Sequence, residues 1–164
     1  MISKTLQDAL NEQINKELYS SYLYLAMSAW CEGKNLCGFA KWLRVQESEE
    51  REHAMKLYEH QLDRGGHMEL KAIAAPTTPW KSALDVFKTV QSQEQEVSAS
   101  INSLYELALR EKDYPAQVLL QWFITEQVEE EKNAAQIVQQ LQLIEERGTA
   151  VLMLDHQLGK RGEK

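Results

Sequence analysis

The chain has 164 residues, a formal net charge of −7, 43% hydrophobic residues and no apolar run long enough to cross a membrane. This length suits one domain with a substantial core, while the acidic balance excludes a basic nucleic-acid-binding surface and the short apolar runs exclude a membrane span. Because Met1–Thr5 lack a signal segment and nothing around Cys31 and Cys37 indicates an oxidising compartment, we expect a cytoplasmic protein with both thiols free.

The first two predicted helices form a hairpin. Ser3 is a candidate N-cap for a helix over Lys4–Glu32, and residues 33–35 interrupt the helical pattern. A second helix is predicted over Leu36–Arg64, where Gly65-Gly66 ends it. Because so few residues separate the two helices, they should pack antiparallel.

A long connection, residues 65–81, follows the second helix and contains Pro76 and Pro79. Fully extended, it reaches roughly 55 Å, whereas a helix of about 30 residues is roughly 45 Å long. The connection can therefore run the full length of a bundle and make the second and third helices parallel. Long connections without secondary structure are uncommon, which favours such a crossover.

The third and fourth predicted helices form another short hairpin. Ser82 and Asp85 resemble a capping box that opens the third helix, which reaches about Lys112. Asp113 and Pro115 are typical of the start of the fourth helix. The short connection again predicts antiparallel neighbours.

The predicted domain is a single unit over residues 1–164, with a helical bundle over about 4–147. Gly148 should end the fourth helix, and Thr149 is a candidate cap for a short fifth helix over about 149–158. A segment of that length is not a stable helix alone, so it must dock against other structure.

Polar residues interrupt the apolar stripe of each long helix near its middle. The stripes step by three and four residues, which is the signature of one helix face. The interrupting residues are Glu17 in the first helix, Glu50 and His53 in the second, Glu94 in the third, and Gln127 and Glu130 in the fourth. Ionised carboxylates are very costly in an apolar core and repel one another at one level. Because no buried stripe of Lys or Arg faces these carboxylates, a pair of metal ions is the simplest way to neutralise their charge.

The ligand set indicates which metals fit. Carboxylate oxygens with one imidazole favour iron or manganese. An all-oxygen calcium or magnesium site would not need His53, and a structural zinc site would have more Cys and His. Two divalent cations would balance four carboxylates, and two metals held close together allow two-electron reduction of oxygen. Such centres are a known feature of ferritin-like bundles.

Several motifs together resemble the ferroxidase centre of the bacterial non-haem ferritins, and the resemblance extends over essentially the whole chain. The motifs are Glu17, Tyr24, Glu50-Arg51-Glu52-His53, Glu94 and Glu126-Gln127-Val128-Glu129-Glu130. The resemblance implies an all-α, ferritin-like four-helix bundle with a long crossover between the second and third helices and a short fifth C-terminal helix.

The resemblance also implies roles for these residues. Glu17, Glu50 and His53 would hold one iron, and Glu94 and Glu130 would hold the second. Glu50 would bridge the two irons. Tyr24 and Gln127 would lie beside the centre and complete it. A third, weaker iron site is implied for Glu49, Glu126, Glu129 and Glu130.

The implied activity is oxidation of Fe²⁺ with O₂ or H₂O₂, followed by storage of ferric mineral in a hollow homo-oligomeric shell of twenty-four subunits. Haem is not expected, because Arg51 stands where bacterioferritins carry their haem-ligating Met. Bacterioferritins also have a second Glu-x-x-His, whereas this chain has Gln127-x-x-Glu130. The two metal sites should therefore be unequal.

Other interpretations stay open at the level of sequence. The chain could be a soluble di-iron or di-manganese redox enzyme that acts on a small substrate, or a purely structural bundle. Glu126, Glu129 and Glu130 could form a solvated helix face, as charge runs usually do. Tyr24 could be an ordinary packing residue. The sequence leaves the preferred oxidant, the iron load, the reductant for release and the entry route undetermined.

Overall fold

Five helices account for the architecture of this protein, whose computed structural model describes residues 1–145 and 147–162. They are α1 (Lys4–Gly33), α2 (Cys37–Asp63), α3 (Ala83–Arg110), α4 (Tyr114–Ile144) and α5 (Gly148–Leu158). No strand occurs within those ranges, so the predicted all-α class is confirmed. The single domain over 1–164 stays a prediction, and residues 146, 163 and 164 of it lie outside the described residues.

Side-chain caps open α1, α3 and α4 where the sequence predicts them. The Ser82 hydroxyl accepts a hydrogen bond from the backbone N–H of Asp85 at 3.1 Å, while the Asp85 carboxylate accepts from Lys81 N at 2.9 Å. Ser3 and Asp113 likewise accept from backbone N–H groups in the first turns of α1 and α4. These bonds satisfy donors that a helix start leaves unpaired.

The end of the fourth helix differs from the prediction. α4 ends at Ile144, and its C-cap, Glu145, has the left-handed φ of 49° that turns the chain before Gly148 is reached. α5 starts at Gly148 with Arg147 as N-cap, so Thr149 lies inside the helix. The predictions that Gly148 ends the fourth helix and that Thr149 caps the fifth helix were therefore wrong.

Hydrogen bonds between α1 and α3 fix the relative helix directions. Gln93 donates to the Ser20 hydroxyl at 2.9 Å, and Ser100 donates to Gln13 at 2.7 Å. Residue numbers fall along α1 as they rise along α3, so these helices are antiparallel. α2 reverses the direction of α1 after a short turn, which makes α2 and α3 parallel, as the crossover prediction requires.

The crossover between α2 and α3 lies along α1. Asn11 donates to the carbonyl of His67 at 3.1 Å, and Asn15 donates to the carbonyl of Ala72 at 3.2 Å. Further on, Trp80 is buried in the apolar cluster at the far end of the bundle. Backbone carbonyls of the crossover thus find partners on α1, which fixes its path.

Two apolar clusters fill the bundle, one at each end. One includes Phe39 and Phe87, whose rings meet edge-to-face at 5.4 Å, and the other includes Leu10, Leu57 and Leu120. Along every long helix, the predicted polar residues fall between members of these two clusters. A polar layer therefore separates two hydrophobic cores at mid-bundle.

The structure also bears on two further sequence expectations, which concern membrane spans and the two cysteines. None of the helices in the described ranges is long and apolar enough to cross a membrane. Cys31 is buried and Cys37 is exposed, and both are free thiols.

Candidate metal centre

Three buried ligands from α1 and α2 converge at mid-bundle. Glu17, Glu50 and His53 each offer one ligand atom, and these atoms lie within 4.8 Å of one another. Glu50 and His53 share a face of α2 because they are three residues apart.

Each of these residues also holds a buried polar atom that lacks a hydrogen-bond partner. The atoms are Oε2 of Glu17, Oε2 of Glu50 and Nδ1 of His53. An unpaired buried polar atom costs about 1–3 kcal/mol, so such atoms are rare in folded proteins. Three such atoms in one cluster, with Nδ1 of His53 and Oε2 of Glu50 3.5 Å apart, indicate a place for a cation.

A second group comprises Glu94 of α3 and Gln127 and Glu130 of α4, and Tyr24 of α1 contacts it. The Tyr24 hydroxyl donates to Oε1 of Glu94 at 2.5 Å, and the Gln127 amide donates to Oε2 of Glu94 at 3.2 Å. Glu130 is buried at the same level of the bundle. The structure thus brings the predicted residues of all four long helices into one layer, with Tyr24 and Gln127 as donors to a carboxylate.

Two glutamines that the sequence prediction did not assign also belong to the layer. Gln46 donates through its one amide nitrogen to Glu50 at 3.0 Å and to Glu130 at 2.8 Å, which joins α2 to α4. Gln13 donates to Glu17 at 2.8 Å. Each glutamine stands four residues before a carboxylate of the layer. That spacing is the signal that could have identified them.

The electrostatics of the layer favour protonated carboxyl groups before metal binds. Burial, reinforced by the neighbouring Glu50, raises the pKa of Glu17 to about 8. Burial, together with Glu94, raises the pKa of Glu130 to about 7. Burial and the Glu94 and Glu130 charges raise the pKa of Glu50 well above its ordinary value, and burial raises that of Glu94. Cations that enter must therefore displace protons.

Aromatic rings enclose the imidazole side of the centre. The Trp122 ring meets the His53 ring edge-to-face at 5.5 Å, and Phe123 meets it at 5.9 Å. The Lys56 ammonium lies 4.4 Å from the centroid of Trp122. These contacts restrain the imidazole plane and thereby hold its nitrogens toward the carboxylates.

Some of the residues predicted for a third site gather beside the imidazole. Ligand atoms of His53, Glu126 and Glu130 lie within 4.8 Å of one another, with Glu126 half-buried. Glu129 is exposed. His53 is the one residue common to this cluster and the cluster with Glu17 and Glu50 among the described residues.

The remaining predicted member of the third site, Glu49, already has a cationic partner. Its Oε2 accepts a hydrogen bond from Arg161 Nη2 at 2.5 Å. Sequence reasoning had no signal for this contact, because Arg161 lies beyond the last predicted helix.

The comparisons with known proteins agree with this geometry. The family model described as "Ferritin-like domain" matches residues 7–144. The chain is 40% identical over 161 residues to a bacterial non-heme ferritin of Staphylococcus aureus, an alignment that covers 98% of this chain and 97% of that protein. It is 42% identical to a bacterial non-heme ferritin of Campylobacter jejuni, covering 94% of this chain and 93% of that protein.

Solved structures extend the likeness to three dimensions. An open pore ferritin from the archaeon Archaeoglobus fulgidus superposes with a TM-score of 0.97 at 44% identity, covering 98% of this chain and 99% of that chain. A humanized archaeal ferritin superposes with a TM-score of 0.97 at 44% identity, covering 98% of both chains.

Fold and site together define a four-helix bundle with a carboxylate–histidine centre at its middle. The chain belongs to the ferritin family. Iron storage is the function that this membership supports, with iron oxidation as its general chemistry, and the layer of Glu17, Glu50 and His53 is the candidate iron site.

Proposed function

We propose that this protein oxidises Fe²⁺ at a di-iron centre inside each bundle and stores the ferric product within a closed shell of identical subunits. The observation that carries the proposal is the convergence of unpaired, buried atoms from Glu17, Glu50 and His53. A purely structural bundle gains nothing from such atoms, whereas a cation would satisfy all of them.

The ligands divide between two irons. Glu17, Glu50 and His53 would bind the first iron, and Glu94 and Glu130 would bind the second, with Glu50 bridging. Carboxylates and imidazole suit iron in both oxidation states.

Groups around the ligands orient them and manage protons. The amides of Gln13 and Gln46 hold carboxylate oxygens of Glu17, Glu50 and Glu130 in fixed directions. Tyr24 does the same for Glu94. Because the carboxyl groups hold protons before metal binds, two Fe²⁺ ions that enter drive protons out of the layer.

The oxidation must balance two electrons per turnover. Each of two Fe²⁺ ions loses one electron, and O₂ with two protons takes up both to form H₂O₂. When H₂O₂ is the oxidant, it takes up two electrons and two protons to form two waters. Both oxidants stay within the proposal, and parallel stopped-flow assays with O₂ and with anaerobic H₂O₂ would rank them.

Two ligand substitutions test the di-iron assignment. Glu50→Ala and His53→Ala should each reduce the rate of Fe²⁺ oxidation, followed by absorbance of ferric product, to the uncatalysed rate. Helix content by circular dichroism should persist. Glu59→Ala removes an exposed carboxylate from the same helix and is the matched control. Wild-type oxidation rates in both ligand variants would show that the centre is elsewhere.

We also propose a third, weaker iron site formed by Glu49, Glu126, Glu129 and Glu130 beside the di-iron centre. The proximity of Glu126 to His53 and Glu130 supports it, as does the i, i+3, i+4 spacing on α4. The partial or full exposure of Glu49, Glu126 and Glu129 predicts lower affinity and faster exchange.

A triple variant tests the third site. Glu49→Ala, Glu126→Ala and Glu129→Ala together should leave rapid oxidation of the first two irons intact. The number of irons bound per chain should fall, and later turnover should change. If stoichiometry and turnover over many irons both match the wild type, the third site does not exist.

The assembly state is the remaining part of the proposal. The ferritin relatives suggest a homo-oligomeric shell, and we propose that it has twenty-four subunits. We also propose that the protein is cytoplasmic and that it binds no haem. Exposed apolar side chains on α5, Leu152 and Met153, supply a surface for contacts between subunits. Light scattering measures the particle mass directly, and a monomer or dimer at all salt concentrations would rule out storage in a shell. Fractionation of the source cells and an absorbance spectrum check the location and the absence of haem.

A further inference from the structure

The segment after α5 returns to the bundle and places a cation against the predicted third iron site. Arg161 donates to Oε2 of Glu49 at 2.5 Å through Nη2 and to Oε1 of Gln46 at 2.9 Å through Nη1. Its guanidinium also lies 4.4 Å from the centroid of Trp42. Three contacts from one side chain make this a fixed position.

The contact has a direct bearing on metal affinity. Arginine keeps its charge at every physiological pH and cannot act as a metal ligand. An iron that binds the Glu49 carboxylate must therefore share its negative charge with Arg161, which occupies Oε2, and is repelled by the guanidinium charge. The pair is partly screened, since the side chains of Arg161 and Glu49 are 22% and 38% exposed.

Docking of α5 determines where Arg161 lies. Asp155 accepts a hydrogen bond from the backbone N–H of Phe39 at 2.8 Å. Gly38 and Gly159 approach so closely that a Cβ on Gly159 would lie 3.0 Å from the Gly38 Cα. The two glycines let α5 and the segment after it pack closely on the start of α2, and this packing places Arg161 beside Glu49.

We propose that Arg161 is an internal counter-cation for Glu49 that competes with the third iron for the Glu49 carboxylate, and that it thereby holds the affinity of the third site low. This inference rests on the third site of the proposed function. Arg161 acts through Glu49 and is a positioning residue rather than a ligand. Its effect is to keep the third iron exchangeable, so that iron can pass from this site toward storage.

Anaerobic calorimetric titration of the assembled, metal-free protein with Fe²⁺ tests the proposal. Arg161→Gln should tighten the third binding event about tenfold, equivalent to about 1.4 kcal/mol. Arg161→Lys keeps the charge and should stay within about threefold of the wild type. Lys160→Gln removes the same charge from the adjacent position and should bind iron as the wild type does.

Comparison with Lys160→Gln separates loss of the Arg161–Glu49 ion pair from a general charge effect, and it leaves every proposed third-site ligand in place. Equal tightening of the third event in Arg161→Gln and Lys160→Gln, or no tightening in Arg161→Gln, would overturn the role of Arg161 while leaving the third site in place. If every variant and the wild type bind only two irons per chain, the third site itself is absent and the inference falls with it.

Discussion

Replacing Glu17 by glutamine should stabilise the metal-free protein at alkaline pH while weakening its iron binding. Glutamine has nearly the shape of glutamate, and its carbonyl oxygen can still accept the hydrogen bond that Gln13 donates to Oε1 of Glu17. The substitution therefore removes the titration of one buried carboxyl group with little change in packing.

The size of the effect follows from the pKa of Glu17, which burial and the neighbouring Glu50 raise from 4.5 to about 8. The folded chain keeps this proton while the unfolded chain has released it, so the stability of the folded state falls as pH rises from 4.5 through 8. At about 1.4 kcal/mol for each pKa unit, the loss from this group approaches about 5 kcal/mol above pH 8. In Glu17→Gln that loss should disappear.

Calorimetric melting of EDTA-treated protein at pH 5, 7 and 9 measures the difference. At about 2–4 °C per kcal/mol for a chain of this size, Glu17→Gln should melt about 10 °C or more above the wild type at pH 9. Near pH 5 the difference should shrink to about 2–3 °C, because pH 5 lies only slightly above the ordinary carboxyl pKa of 4.5. Glu59→Gln, an exposed carboxylate on α2, is the control and should follow the wild type at all three pH values.

Two results would refute this reasoning. Parallel melting profiles of wild type and Glu17→Gln from pH 5 to pH 9 would show that Glu17 is already ionised in the metal-free protein. A loss of stability on substitution at pH 9 would show that its charge is neutralised by something other than metal.

Three further predictions concern the remaining parts of the molecule. Tyr24→Phe removes the hydrogen-bond donor to Glu94, which should raise the pKa of Glu94 further and move the pH profile of Fe²⁺ oxidation to higher pH. An unchanged pH profile in stopped-flow assays would count against this role of Tyr24. Gly38→Ala would place a Cβ 1.7 Å from the Asp155 carbonyl oxygen, so α5 should undock and light scattering should show smaller particles. Gly33→Ala is the control: its Cβ meets nothing within 4 Å, so this variant should assemble normally. Fe²⁺ binding near pH 6.5 should release protons from the centre. Calorimetry in buffers of different ionisation enthalpy measures this release, because the observed binding enthalpy then changes with the buffer. An enthalpy that is the same in every buffer would mean that the carboxyl groups are ionised before metal binds.

Periodicity was sufficient to predict the helices and the residues that meet at mid-bundle. Helix faces repeat every three to four residues, so Glu17, Glu50 and Glu94 could be placed on buried stripes from local spacing alone. The structure buries all three. The crossover was predictable as well, because its length alone permits a parallel arrangement of α2 and α3.

Local spacing was less informative where a backbone turn could form in more than one way. Glycine at position 148 suggested the end of the fourth helix, yet Glu145 adopts the left-handed turn three residues earlier. A left-handed conformation costs a non-glycine residue only about 1–2 kcal/mol. Docking of α5 can offset a cost of that size, so the presence of a glycine alone does not fix where the turn forms.

The sequence by itself determined the all-α class, the four apolar stripes, and the carboxylates and imidazole that interrupt those stripes. All of these features can be read from the spacing of residues within a few turns of a single helix. Only the tertiary structure decided which donors hold those carboxylates and which cation meets Glu49. Arg161 and Glu49 are 112 residues apart, and no periodic relation connects them. Their contact exists because α5 packs against the start of α2, and packing between distant segments is a property of the assembled bundle rather than of local sequence.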